Sequence, residues 1–181
     1  VHAVSAFVAV CVCVRSSAVD FGTNIRYTPL MNTLVPSFRR TTARKDDARL
    51  YVAIDSDDFY FNRYLKLLQS VATVVIANKT LLNGRIPFNE ITQRAQDDGA
   101  EYIVRVNDDT EFVTNNWVQI GKDALMKMDP PNVEVVVETQ NKSQKINMVK
   151  STKHGTSFMK TYIVNKPKNI NPLLSDRVLS L

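Results

Sequence analysis

The stretch Ala100-Glu101-Tyr102-Ile103-Val104-Arg105-Val106-Asn107-Asp108-Asp109-Thr110 decides the reading of this chain. Tyr102–Val106 is aromatic and β-branched, the composition of a strand buried in a sheet. It ends in an amide and two carboxylates, residue types that turn the chain. Before it, Phe88–Asp98 sets Phe88, Ile91 and Ala95 at helical spacing and stops at Gly99, a glycine just past a helix end. After it, Thr114 reads as a cap. Trp117, Ile120, Ala124, Leu125 and Met128 then line one helical face, and Pro130-Pro131 ends it.

The alternation extends in both directions. Val4–Val14 is rich in β-branched residues and reads as a first strand. The alternative for its apolar start, followed by Arg15-Ser16-Ser17-Ala18, is the end of a signal peptide. It is too short to span a bilayer as a helix, so no membrane anchor is expected in this chain. Thr28-Pro29 opens a helix with Leu30, Leu34 and Phe38 on one face, interrupted by Pro36. Arg49–Ile54 is a second strand. Phe61, Tyr64, Leu65 and Leu68 share a helical face, Val71–Ala77 is a third strand, and Val133–Val137 is a fifth. Strands alternating with helices predict an α/β fold, a mostly parallel sheet with helices on both faces. Residues 1–138 are expected to form this domain. Residues 139–181 are expected to be a truncated or degraded second part, with one apolar stretch at Thr161–Val164 and a loop-like tail from Asn165.

Composition bounds the function loosely. Hydrophobic residues make up 44% of 181 and charged residues 23%, which fits a globular domain with a core. The net charge of +5 suits an anionic ligand. Its excess is uneven: lysines recur between Lys142 and Lys168, and the acids lie mostly before Glu138. Cys11 and Cys13 share a strand face and read as small buried apolar groups, with neither zinc nor redox spacing. The sequons at Asn78 and Asn141 are near chance in number for a chain this rich in Asn.

In open α/β sheets, ligands sit beyond the carboxyl ends of the strands. Two acidic clusters fall there: Asp55-Ser56-Asp57-Asp58 after the second strand and Asn107-Asp108-Asp109 after the fourth. Carboxylate oxygens hold hard cations such as Mg²⁺ or Mn²⁺, and such a cation can bridge a diphosphate. The same residue types also serve as plain turn formers and helix caps.

The run Phe88-Asn89-Glu90-Ile91, then Asp97-Asp98-Gly99-Ala100-Glu101-Tyr102, then Val104 through Val113 and Trp117, resembles glycosyltransferases of the GT-A fold. The likeness is to a family-2-like eukaryotic group with an N-D-D-T-E-F variant of the D-x-D motif. It covers roughly Val4 to Val137, and its specific part is Phe88 to Trp117. The resemblance implies a UDP- or GDP-sugar donor, a Mn²⁺ or Mg²⁺ ion, and a glycan, protein or lipid acceptor, with no nucleic acid partner. It implies Asp109 as the metal carboxylate, and Asn107 and Asp108 at the ribose or the metal and its water shell. Asp55 would face the nucleobase, with Asp57 and Asp58 as alternates, and Asn89 and Arg94 would lie on the helix beside the nucleotide. His154 would be an additional metal ligand. It further implies the secretory pathway, with the Golgi as compartment. Arg94 read alone is a solvated helix-face charge, His154 a surface residue and Trp117 a core anchor, and Arg15 is either a phosphate contact or an ordinary surface-loop charge.

The chain departs from that group after Val133. A Gly-Pro turn is replaced by Glu134-Val135-Val136-Val137-Glu138, and Glu138, at a strand end, is the candidate catalytic base. Two alternatives stand beside a glycosyltransferase. One is a glycosyltransferase-like domain that binds a nucleotide without turnover. The other is a haloacid-dehalogenase-like phosphatase with Asp55 of Asp55-Ser56-Asp57 as nucleophile, against which Phe59 stands where that family has Thr or Val.

Overall fold

The computed structural model describes residues 7–16, 24–42, 47–78, 85–127, 149–151 and 163–165. The expected strand Val133–Val137, the helix-ending Pro130-Pro131, Glu138, Asn141 and His154 lie outside these residues.

Strand β1 (Phe7–Val14) is the axis of the sheet. It pairs in parallel with β2 (Ala48–Asp55) on one edge and with β4 (Ala100–Val106) on the other. Strand β3 (Thr73–Ala77) adds to β2 in parallel. The resulting order, 3-2-1-4, is that of a doubly wound sheet, and the direction of winding reverses between β1 and β4. The protein is therefore α/β with a mostly parallel sheet, and the placement of Tyr102–Val106 inside it follows the expectation from sequence.

Alternation along the strands divides the core in two. Val8, Val10, Val12 and Val14 face one side with Leu50, Val52, Ile54, Val104 and Val106. Against them lie α1 (Val35–Thr41), α2 (Phe59–Arg63), α3 (Leu65–Gln69) and α5 (Trp117–Met126). Phe7, Ala9, Cys11, Tyr51, Ala53 and Ile103 face the other side, covered by Ile91 and Ala95 of α4 (Phe88–Asp97). A strand buried on both faces reads as a continuous apolar run, which is why Phe7–Val14 carries no polar residue.

The helices differ from their sequence reading in two places, each with a local cause. From Leu30 to Leu34 the chain makes a wide turn, with the Val35 N–H donating to the Leu30 carbonyl. Pro36 has no N–H to give, so it is accommodated near the start of the regular helix α1 that follows. The helix expected through Phe61–Leu68 is broken at Tyr64, whose φ of −104° and ψ of 19° leave the helical region. Gly99 closes the turn after α4 at φ 93°, a left-handed conformation that suits glycine.

Two short strands come from beyond residue 138. Ile163–Asn165 (β7) pairs antiparallel with Tyr102–Val104 of β4 and so joins the main sheet. Val149–Ser151 (β6) pairs antiparallel with Thr110–Phe112 (β5), directly after the acidic turn. Two pieces of the chain after residue 138 thus pair with strands before it, one of them overlapping the apolar stretch Thr161–Val164.

Phe112 is fully buried, packed against Trp117 at a ring distance of 4.7 Å and edge-on to Phe38 at 5.9 Å. Such triads add to area burial through favourable ring geometry. Phe112→Ala should destabilise the fold by about 3–5 kcal/mol, read as a lowered midpoint in urea unfolding. A midpoint equal to that of the unaltered chain would contradict the packing described.

Candidate functional site at the carboxyl ends of β1, β2 and β4

Topology assembles this site. Val12 of β1 is level with Val52 and with Val106, so β2 and β4 run out on either side of the end of β1. The turn at Asp55 leaves one neighbour and the turn at Asn107 leaves the other. Arg15 and Ser16, the residues after β1, lie between them.

The turn after β2 is tightly organised. The Asp58 N–H donates to the Asp55 carbonyl at 3.1 Å, and the Ser56 N–H donates to the Ala77 carbonyl at 2.8 Å, tying the turn to the end of β3. Asp58 is buried, and both its carboxylate oxygens accept from backbone. Oδ1 takes the Phe61 N–H at 3.1 Å and caps α2. Oδ2 takes the Ser16 N–H at 2.7 Å and ties the turn to the end of β1. Asp58 is therefore a cap and a tie. Asp57 is exposed, and Asp55 is half-buried with its Oδ2 3.9 Å from Nε of Arg15. That separation is a long ion pair in which Arg15 is largely exposed.

The turn after β4 closes through the Thr110 N–H, which donates to the Asn107 carbonyl at 3.2 Å. Asn107 is exposed, Asp108 and Asp109 are half-buried, and Thr110 is fully buried. What fixes this turn lies just beyond it. The Phe112 N–H donates to Oγ of Ser37, itself held by the Leu34 carbonyl, and Arg40 reaches Glu111 at 3.3 Å. The buried Phe112 ring and these bonds anchor β5 on α1, and the acidic turn is held between β4 and that anchor.

The helix residues separate. Asn89 stands exposed in the first turn of α4, near the carboxyl end of the sheet. Arg94 belongs to the last turn of the same helix and donates through Nε to both oxygens of Asp98, each at 3.1 Å. Asp98 precedes β4 and also accepts from the Tyr51 hydroxyl at 3.0 Å. Since α4 runs back along the sheet, Arg94 lies at the end away from the acidic turns, and the structure does not bring it to them.

Sequence reading passed over Glu90 and Arg105. The Cys13 thiol, near the end of β1, is pushed up to about 12 by burial, lowered by the charge of Arg105, and raised by Glu90 and Asp55. The charges of all three thus act on the end of β1. The Arg105 guanidinium stacks on the Phe88 ring at 3.7 Å, which steadies it there. The alternation of β4 carried this signal, because Arg105 falls on the same face as Ile103. Among the described residues, no three His, Cys, Asp or Glu side chains stand together as a metal site, and no helix is long and apolar enough to cross a membrane.

No protein-family model and no curated protein matches the chain. Solved structures do. A mannosyltransferase from Pyrobaculum calidifontis, in complex with GDP-Man and Mn²⁺, is 13% identical with a TM-score of 0.46, over 74% of this chain and 35% of that one. Residues 1–349 of S. aureus TarS, in complex with UDP-GlcNAc, are 11% identical with a TM-score of 0.41, over 66% of this chain and 31% of that one. The chain thus spans about a third of the length of each.

The buried thiols generate a prediction about pH. Cys11 and Cys13 are pushed from 9.0 up to about 12, mainly by burial. Tyr51 is raised as well, by burial and then by its hydrogen bond to Asp98. Unfolding exposes these groups and lets them ionise at their ordinary values. Their contribution to stability is complete below pH 9.0 and is lost as pH rises toward about 12. The urea midpoint should fall across that window, and fall less steeply when both cysteines are replaced by Ala. Equal slopes in the two proteins would count against the buried placement of the thiols.

Proposed function

We propose that this chain is the donor-binding part of a metal-dependent glycosyltransferase, one that moves a sugar from a UDP- or GDP-sugar to a glycan, protein or lipid acceptor. The observation that carries this reading is the pair of acidic turns on either side of β1, at the point where the winding of the sheet reverses. That is the general ligand position of an open α/β sheet. The residue types there suit the two ends of a sugar nucleotide.

Asp55 is the group to accept from donor N–H or O–H groups of a nucleobase or ribose, with Asp57 beside it. Asp58 holds the turn from below. Arg15, on the end of β1 between the turns, is placed to meet a phosphate oxygen. Asn89 borders the same end of the sheet. Asn107 and Asp108 are assigned to the ribose or to water around the cation, and Asp109, with Asp108, to the cation itself.

The donor set fits such a cation on its chemistry. Two adjacent half-buried carboxylates in one turn are too few for an all-protein cage. Mg²⁺ and Mn²⁺ are commonly held by one or two carboxylates, with substrate phosphates and water completing the shell. When bound, the ion offsets charge on the departing diphosphate. The protein's own contribution is to hold Asp108 and Asp109 fixed through the Phe112 anchor. Glu138 as catalytic base and His154 as a further ligand remain part of the proposal.

The test is titration calorimetry with UDP and with GDP, each with and without Mn²⁺, on the unaltered chain and on Asp109→Asn. One nucleotide should bind, more tightly with Mn²⁺. In Asp109→Asn the gain from Mn²⁺ should largely vanish while the melting temperature holds, since Asn replaces Asp well as a turn or cap former. Undiminished Mn²⁺-dependent binding in Asp109→Asn would defeat the assignment. Nucleotide binding with neither hydrolysis nor transfer of the sugar would favour the binding-only alternative. Phosphatase activity abolished by Asp55→Asn would favour the phosphatase.

A further inference from the structure

The turn from Asp55 to Asp58 is held by one side chain outside it. Nδ2 of Asn62, one helical turn into α2, donates to three backbone carbonyls: Asp55 at 3.1 Å, Ser56 at 3.2 Å and Asp58 at 2.8 Å. An amide nitrogen has two hydrogens, so three acceptors share them. Converging carbonyl dipoles repel one another, and the amide removes that repulsion by supplying positive charge among them. With the Asp58 carboxylate tied to Ser16 and Phe61, the turn is fixed at its centre and at its end. The turn's own Asp58-to-Asp55 backbone bond already closes it, and the Asp58 carboxylate caps α2, so the three bonds from Asn62 are additional to what reverses the chain.

We infer that Asn62 is a positioning residue for donor binding. It sets the backbone of the acidic turn, and through it the place of the Asp55 carboxylate relative to the end of β1. This deepens the donor-binding reading above and rests on it. Binding groups select among ligands only when their own backbone and rotamers are locked by a supporting layer. Asn62 supplies that layer on the β2 side, as the Phe112 anchor does on the β4 side. The two act on different parts of the ligand: Asn62 on the contact made by Asp55, Phe112 on the contact made through the cation.

Two variants test it. Asn62→Ala removes the donor, and Asn62→Asp keeps the size but sets an acceptor against three carbonyl oxygens. Dissociation constants for UDP and GDP, each with and without Mn²⁺, are measured well below the melting temperature, with circular dichroism to confirm folding. Both variants should bind the nucleotide roughly tenfold more weakly, the effect of losing about one charge-assisted contact. The factor by which Mn²⁺ tightens binding should be unchanged, because that factor belongs to the other turn. Unaltered affinity in either folded variant would overturn the inference. So would a loss of affinity accompanied by an equal collapse of the Mn²⁺ factor, the mark of general loosening. Absence of nucleotide binding by the unaltered chain would overturn the donor-binding reading itself, and this assignment with it.

Discussion

Strand β1 is hydrogen-bonded along both edges and buried on both faces, and the positions of the other groups at the candidate site follow from it. Its alternating valines and small residues allow helices to pack on either side. Its parallel pairing with β2 and β4 makes both neighbours run out at the same end. Because the chain winds outward from β1 through β2 and β3 and then returns to its other edge, the crossover connections part above its carboxyl end. The acidic turns have no other place to be. Their proximity is a consequence of topology, and it holds however the local turn chemistry is arranged.

The two turns are secured by different physics. The one after β2 is polar throughout: a carboxylate accepting two backbone N–H groups, and an amide donating to three carbonyls. Such networks are directional, and they fail sharply when one member is lost. The one after β4 is anchored a few residues away, by packing of Phe112 with Phe38 and Trp117 and by the Phe112 N–H on Oγ of Ser37. Packing of that kind resists small polar changes in the turn itself. The Asp55–Asp58 turn tolerates little change, since Asp58 is both cap and tie.

The four parallel strands were legible from their apolar and β-branched runs, most plainly β1, which is buried on both faces; the short strands β5, β6 and β7 left no such mark. The end of α4 was legible from Gly99, and the core role of Trp117 from its place in a helical stripe. The helices on the α1 side were read less well. A wide turn before Pro36 and a break at Tyr64 depend on how the chain meets the sheet, and periodicity is blind to that. Within the site, sequence offered the carboxylates as a group without separating their roles. Only the structure distinguishes Asp58, fully engaged with backbone, from Asp55 beside Arg15. It also shows Arg94 paired with Asp98, at the end of α4 away from the acidic turns. Asn62 was invisible in the sequence because its role lies in the carbonyls it gathers.

A nucleotide and its cation are proposed to meet at the carboxyl ends of β1, β2 and β4. Paramagnetic broadening by Mn²⁺ tests this most directly. Backbone amide resonances are recorded with UDP or GDP present, before and after a small amount of Mn²⁺ is added. Selective broadening is expected at Asp108, Asp109 and Thr110, then at Arg15, Ser16 and Asp55, with Arg94 and Asp98 spared. Broadening centred on the opposite end of the sheet, or spread evenly over the chain, would contradict it.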